Sequence, residues 1–71
     1  MTDIEFKVGD LIYHVTEAEF GIIYDFDIAI IDVEPIAKIY WQTSQTLSIL
    51  YLSTLTDKVK YNFLIHYPNL I

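Results

Sequence analysis

Apolar residues in this chain fall mainly in short alternating runs, separated by polar or turn-forming positions. From Phe6 to His14, Leu11 and Tyr13 share one face while Ile12 and His14 share the other, the period of two that marks a strand. Gly9-Asp10 marks a bulge or bend near its start. Val15 to Phe20 reads as a polar connection ending at Gly21. Ile22, Tyr24 and Phe26 then alternate with Ile23, Asp25 and Asp27, a second strand whose Asp-bearing face should meet water. Ile28 to Val33 either prolongs that strand or supplies its hairpin partner, and Asp32-Val33-Glu34-Pro35 is the expected turn because Pro35 lacks a ladder donor and restricts Glu34.

Ile36 to Trp41 predicts a third strand, with Ala37, Ile39 and Trp41 facing inward and Lys38 and Tyr40 outward. Gln42 to Thr46 is a polar hairpin loop, and Leu47 to Leu55 a fourth strand. A single 3₁₀ step is expected at Thr54–Asp57, followed by a fifth strand over Lys58–Tyr67, where Val59, Tyr61, Phe63, Ile65 and Tyr67 alternate with Lys58, Lys60, Asn62, Leu64 and His66. A helix competes over residues 47–66, because Leu47, Leu50, Tyr51, Leu55 and Val59 fall near one stripe and Thr56-Asp57 is able to cap. The hydroxyl residues Ser53, Thr54 and Thr56 and the alternation after Lys58 favour strand. A polar lead-in over residues 1–5 and a short tail from Tyr67 to Ile71 complete the chain. Together these elements predict one all-β domain over residues 1–71, a small five-stranded barrel.

Composition sharpens the picture in two ways. Eleven aromatic residues in 71 are more than one small core hides, so some should form an exposed binding face. Nine of the ten acidic residues lie in the first 35 positions against a single lysine, a balance of −8, whereas the remainder carries +2. Arginine is absent. Such a surface repels phosphate backbones and anionic lipid, so a protein partner with a basic surface is expected in place of nucleic acid or membrane. Self-association is left open. Cysteine is also absent, which excludes disulfides and thiolate chemistry and fits a reducing cytoplasm. The acidic start Met1-Thr2-Asp3-Ile4-Glu5 does not read as a secretory leader, and no apolar run approaches the roughly 18–20 residues of a membrane span. A soluble protein of the cytoplasm, or of a virion if the source is viral, is the expectation.

Val8-Gly9-Asp10-Leu11-Ile12, Gly21-Ile22-Ile23, Ile39-Tyr40-Trp41 and Leu52-Ser53-Thr54-Leu55 follow one another in an order that resembles small SH3-like barrel proteins encoded by tailed bacteriophages. The resemblance covers residues 6 to 55 and implies an SH3-like barrel that binds and does not catalyse. The chain departs from peptide-binding SH3 domains in having one tryptophan where those carry a pair, and from nucleic-acid-binding relatives in lacking basic loops.

The side chains able to carry chemistry are few. His14 and His66 are the only histidines, 52 positions apart, and read as two unrelated strand residues with no metal between them. Asp25, Asp27, Asp32 and Glu34 form an acidic hairpin that is either a solvated face or a docking patch; a calcium loop with its glycine is missing. Tyr13, Tyr24, Tyr40 and Trp41 compose an aromatic platform from which Trp41 is assigned to the core and Tyr24 and Tyr40 to a protein interface. No nucleophile elbow, phosphate loop or zinc-protease motif is present. The expected function is a non-catalytic protein–protein interaction module, such as a virion component, assembly subunit or small regulator, without cofactor. The alternative is an acidic inhibitor or DNA mimic that occupies the basic groove of a nucleic-acid enzyme.

Overall fold

Three hairpins and a helix give the chain its plan. The computed structural model describes residues 4–69, in which β1 (Leu11–His14), β2 (Glu19–Ala29), β3 (Glu34–Trp41), β4 (Thr46–Tyr51), α1 (Leu52–Lys60) and β5 (Leu64–Tyr67) follow in order. The strands form one antiparallel sheet in the order β4-β3-β2-β1-β5. The sheet is not closed: β4 and β5 lie at its two edges, and α1, which connects them, packs against both and against β3. Residues 1–3 of the expected lead-in and residues 70–71 of the tail lie outside the described residues.

The core sits on the face that α1 covers. Ile12, Ile23, Ala37, Ile39, Trp41, Leu55 and Leu64 are buried there, with Phe6, Phe26, Leu50 and Val59 packed around them. One cross-strand row explains how Trp41 is seated. Ile12 pairs with Gly21, and Gly21 pairs with Trp41. Because Gly21 has no side chain the indole lies directly over its backbone; a Cβ there would stand 2.5 Å from Trp41 Cε3. Trp41 Nε1 donates to Ser48 Oγ at 2.8 Å, so its one polar atom is satisfied. The expected inward face of β3 is therefore observed.

The first strand is shorter than the period-two pattern from Phe6 predicts. Lys7 to Asp10 instead makes a tight turn, closed by Asp10 N–H donating to the Lys7 carbonyl, with Gly9 at φ +97° where other residues are strained. The second strand departs from strict alternation. A bulge at Tyr24 shifts the register between Ile23 and Asp25, so Ile23 and Phe26 both turn toward the core while Tyr24, Asp25 and Asp27 stay exposed. The expected face of Ile22, Tyr24 and Phe26 does not exist as a unit, and Ile23 does not share the solvated face of the aspartates. Ile28 prolongs β2, the turn is 30–33 rather than 32–35, and Pro35 lies within β3 opposite Ile28, one residue beyond the last β3–β4 rung.

The largest correction lies in the last third. The fourth strand stops at Tyr51, and Leu52–Lys60 is an α-helix where strand and a 3₁₀ step were expected. Leu55 and Val59 recur at helical spacing and face the core, with Leu55 fully buried and Leu52 half-buried one turn earlier. The alternation after Lys58 would have turned Tyr61 and Phe63 inward with Val59, yet they are 67% and 58% exposed. The helix ends at Asn62, which takes φ +66° and donates to the Val59 carbonyl, while Phe63 N–H reaches the Lys58 carbonyl. That double closure is a Schellman motif, and Lys58 and Lys60 in the last turn complement the helix dipole. Only Leu64–Tyr67 of the expected fifth strand is extended.

Candidate interaction surface

The sheet's other face is built by the same pairing that makes the core. Tyr67, Leu11, Ile22, Tyr40 and Leu47 stand opposite one another across all five strands. A second row of Ile65, Tyr13 and Phe20 lies beside it. The rings of Tyr13 and Phe20 pack at 4.8 Å and those of Phe20 and Tyr67 at 6.0 Å. Nothing in the described structure covers this face. Ile22, Tyr24, Tyr40 and Leu47 line an open depression of about 390 Å³ on it, and the bulge is what places Tyr24 there. Tyr24 and Tyr40, assigned to an interface from the sequence, are thus brought together at one depression, whereas Trp41 is turned away into the core.

The expected acidic hairpin is the arm formed by the ends of β2 and β3. Asp25 pairs with Lys38 and Asp27 with Ile36 on the same face as Tyr40. Lys38 Nζ lies 3.9 Å from Asp25 and 3.6 Å from Asp27, half-exposed ion pairs of small energy that leave the patch acidic. Asp32, in the turn, hydrogen-bonds the Tyr51 hydroxyl; that bond first, and then the charges of Asp32 and Glu34, raise the Tyr51 pKa above the ordinary phenol value. The four carboxylates are therefore gathered on one arm, two beside Lys38 and two near Tyr51.

The tip of this arm was not singled out from the sequence. Ile30 is 93% and Ile31 99% exposed, flanked by exposed Ile28 and Val33. Val33 also takes φ +53°, an unfavourable conformation for a β-branched residue. The available signal was Ile28-Ala29-Ile30-Ile31: an apolar run that continues from the end of β2 into the first half of a four-residue loop, where polar turn-formers are the norm.

The two histidines are engaged separately. His66 Nε2 lies 2.7 Å from Asp10 Oδ2, and Asp10, 1% exposed, also accepts from Lys7 N–H at 2.9 Å and Asn69 N–H at 2.7 Å. Burial pushes the Asp10 pKa up, but the bonds from Asn69, His66 and Lys7 outweigh it, and the carboxyl titrates below its ordinary value. This cluster joins the first turn to the chain's last described residues. His14 accepts from Glu17 N–H at 3.2 Å and sets its ring against Trp41 at 5.7 Å. Among the described residues no group of His, Cys, Asp and Glu is arranged to hold a metal ion, and no helix is long and apolar enough to cross a membrane.

Comparison with protein-family models, with curated proteins and with solved structures finds no match.

Proposed function

We propose that this chain is a non-catalytic protein–protein interaction module that docks through the β2–β3 arm and the adjoining sheet face. The observation that carries the reading is the pair Ile30 and Ile31 held in water at the tip of an acidic arm. Exposed aliphatics of this kind have a cost that a binding partner relieves. The partner this arm fits is a protein with an apolar socket rimmed by Lys and Arg: the isoleucines enter the socket, and Asp25, Asp27, Asp32 and Glu34 meet the rim. Tyr24 and Tyr40, beside Leu47, extend the contact onto the sheet.

The finer fold reading belongs to the same proposal. A short β1 between β2 and β5, with helix α1 leading into the last strand, supports an SH3-like barrel of the kind encoded by tailed bacteriophages. A virion component, assembly subunit or small regulator is the corresponding role. The inhibitor alternative draws less support, because Lys38 sits between Asp25 and Asp27 and isoleucines occupy the exposed tip, where a phosphate mimic would present carboxylates.

The test uses a partner isolated with the wild-type chain. Replacing Asp25, Asp27 and Asp32 by Asn and Glu34 by Gln should leave the fold intact and slow association, with the slowing vanishing at high salt. An unchanged association rate at low salt would remove the carboxylates from the docking reading.

A further inference from the structure

The open sheet has two edges, and they are not alike. β5 is four residues long and is followed at once by Pro68. β4 is six residues long, Thr46-Leu47-Ser48-Ile49-Leu50-Tyr51, and pairs only with β3. In an antiparallel ladder every second residue directs its N–H and C=O away from its neighbour, and among the described residues no backbone bond reaches β4 from its outer side. Open edges are ordinarily protected by lysine, proline, a bulge or a covering element. β4 has no Lys, no Pro and no bulge, and its outer-face positions Leu47, Ile49 and Tyr51 are all exposed.

We propose that β4 pairs antiparallel with β4 of a second copy of this chain, making a twofold-symmetric dimer with a continuous sheet through the seam. Two observations select a second copy as the occupant. The first is charge. No Asp, Glu, Lys or Arg occurs from Ile36 to Thr56 except Lys38, and none in β4 itself, so the strand brings no charge of its own to the seam; Asp32 and Glu34 approach it only at Tyr51, and with Ile49 on the axis the two Tyr51 residues lie at opposite ends. The second is register. Residues directly opposite in a ladder share a face, so the twofold axis must pass through a residue and not between two. With Ile49 on the axis, Leu47 of each copy lies opposite Tyr51 of the other, and Ser48 opposite Leu50. Every outer-face position of β4 then has an aliphatic or aromatic cross-strand partner. An axis through Ser48 would leave Tyr51 beyond the seam. The apolar row that runs from Tyr67 to Leu47 across one sheet ends at this edge, and the dimer carries it on to Tyr51 of the second copy.

Sedimentation velocity of the full chain over a dilution series, with amide exchange at each concentration, tests the proposal. The expected result is a monomer–dimer equilibrium in which outward-directed β4 amides gain protection as concentration rises. Ile49 is 62% exposed, so Ile49→Lys should fold normally while placing two ammonium groups across the axis, weakening the dimer at least tenfold. Leu47→Lys is the second variant, should the first fail to fold. Ile65→Lys, on the far side of the sheet face, should leave the dimer intact. A chain that stays monomeric at millimolar concentration overturns the proposal, as does a dimer that survives both β4 variants. So does a dimer abolished by Ile65→Lys, which would be face to face. Protection of β4 only on adding a different protein would assign the edge to a foreign strand and overturn it too. The readout is self-association without any partner, so it is separate from docking by Ile30 and Ile31, which lie outside β4; of the two variants only Leu47→Lys also touches the depression beside Tyr24 and Tyr40.

Discussion

Asp10 is the one charged side chain among the described residues that is withdrawn from water, and its three hydrogen bonds fasten both ends of the described chain to β1 and β5. Its folded pKa lies below the ordinary value, so its contribution to stability is complete above the carboxylate range and is lost as pH falls through the depressed folded value. Melting temperature should therefore be steady from neutral pH down toward about 4 and then drop. Asp10→Asn should cost about 1–3 kcal/mol at neutral pH and flatten that acid limb, as thermal melts at several pH values would show. Gly21 supports the core in a different way, by leaving room for Trp41. Gly21→Ala should destabilise by about 1–3 kcal/mol, measured by urea unfolding, because the indole and Ile39 must both shift. Of these residues only Trp41 was legible in the sequence, since its alternation with Ala37 and Ile39 fixes its face. Asp10 and His66 are separated by most of the chain, and nothing local announces that β1 and β5 are neighbours.

At the scale of elements, the hairpins close by an unusual choice of residue. Ala18, Val33 and Gln45 each occupy the last position of a four-residue loop with φ between +53° and +57°. Glycine there would remove the Cβ penalty, so Ala18→Gly should raise stability by about 1 kcal/mol, read from the shift in the urea midpoint. The loops were located from polarity but not their bounds, because the turn chemistry that fixes bounds is carried by residues with no turn signature. The helix was misread for a related reason. Lys58 to Tyr67 alternates well apart from Leu64, but alternation stabilises a strand only where one face meets a core, and here the core had room for Leu55 and Val59 from a helix and for Leu64 from the strand after it. Asn62 was the informative residue, since it tolerates the left-handed conformation at a helix end. Asn62→Val should cost about 1–2 kcal/mol by thermal or urea unfolding and fray the last helical turn.

A sheet left unclosed and an apolar face left uncovered among the described residues combine, at the scale of the whole molecule, with a net charge of −6. Mutual repulsion among nine acids in the first 35 residues should make the fold more stable as salt is added, and a thermal melt across a salt series reads this directly. The acidic arm and the pair Tyr24 and Tyr40 were recognisable in the sequence because charge and aromaticity are visible residue by residue. The exposed tip was not, because isoleucine in a sequence is read as interior until a structure places it. The proposed docking arm rests on Ile30 and Ile31 as its anchor. Its most direct measurement is the dissociation rate of a partner isolated with the wild-type chain, compared with that for the Ile30→Ser, Ile31→Ser double variant. Both side chains lie in water, so the variant should fold and melt as the wild type does. Dissociation of the double variant should be at least tenfold faster, the size of effect expected when two buried anchors are truncated; equal dissociation rates for the two proteins would rule out the isoleucines as the anchor.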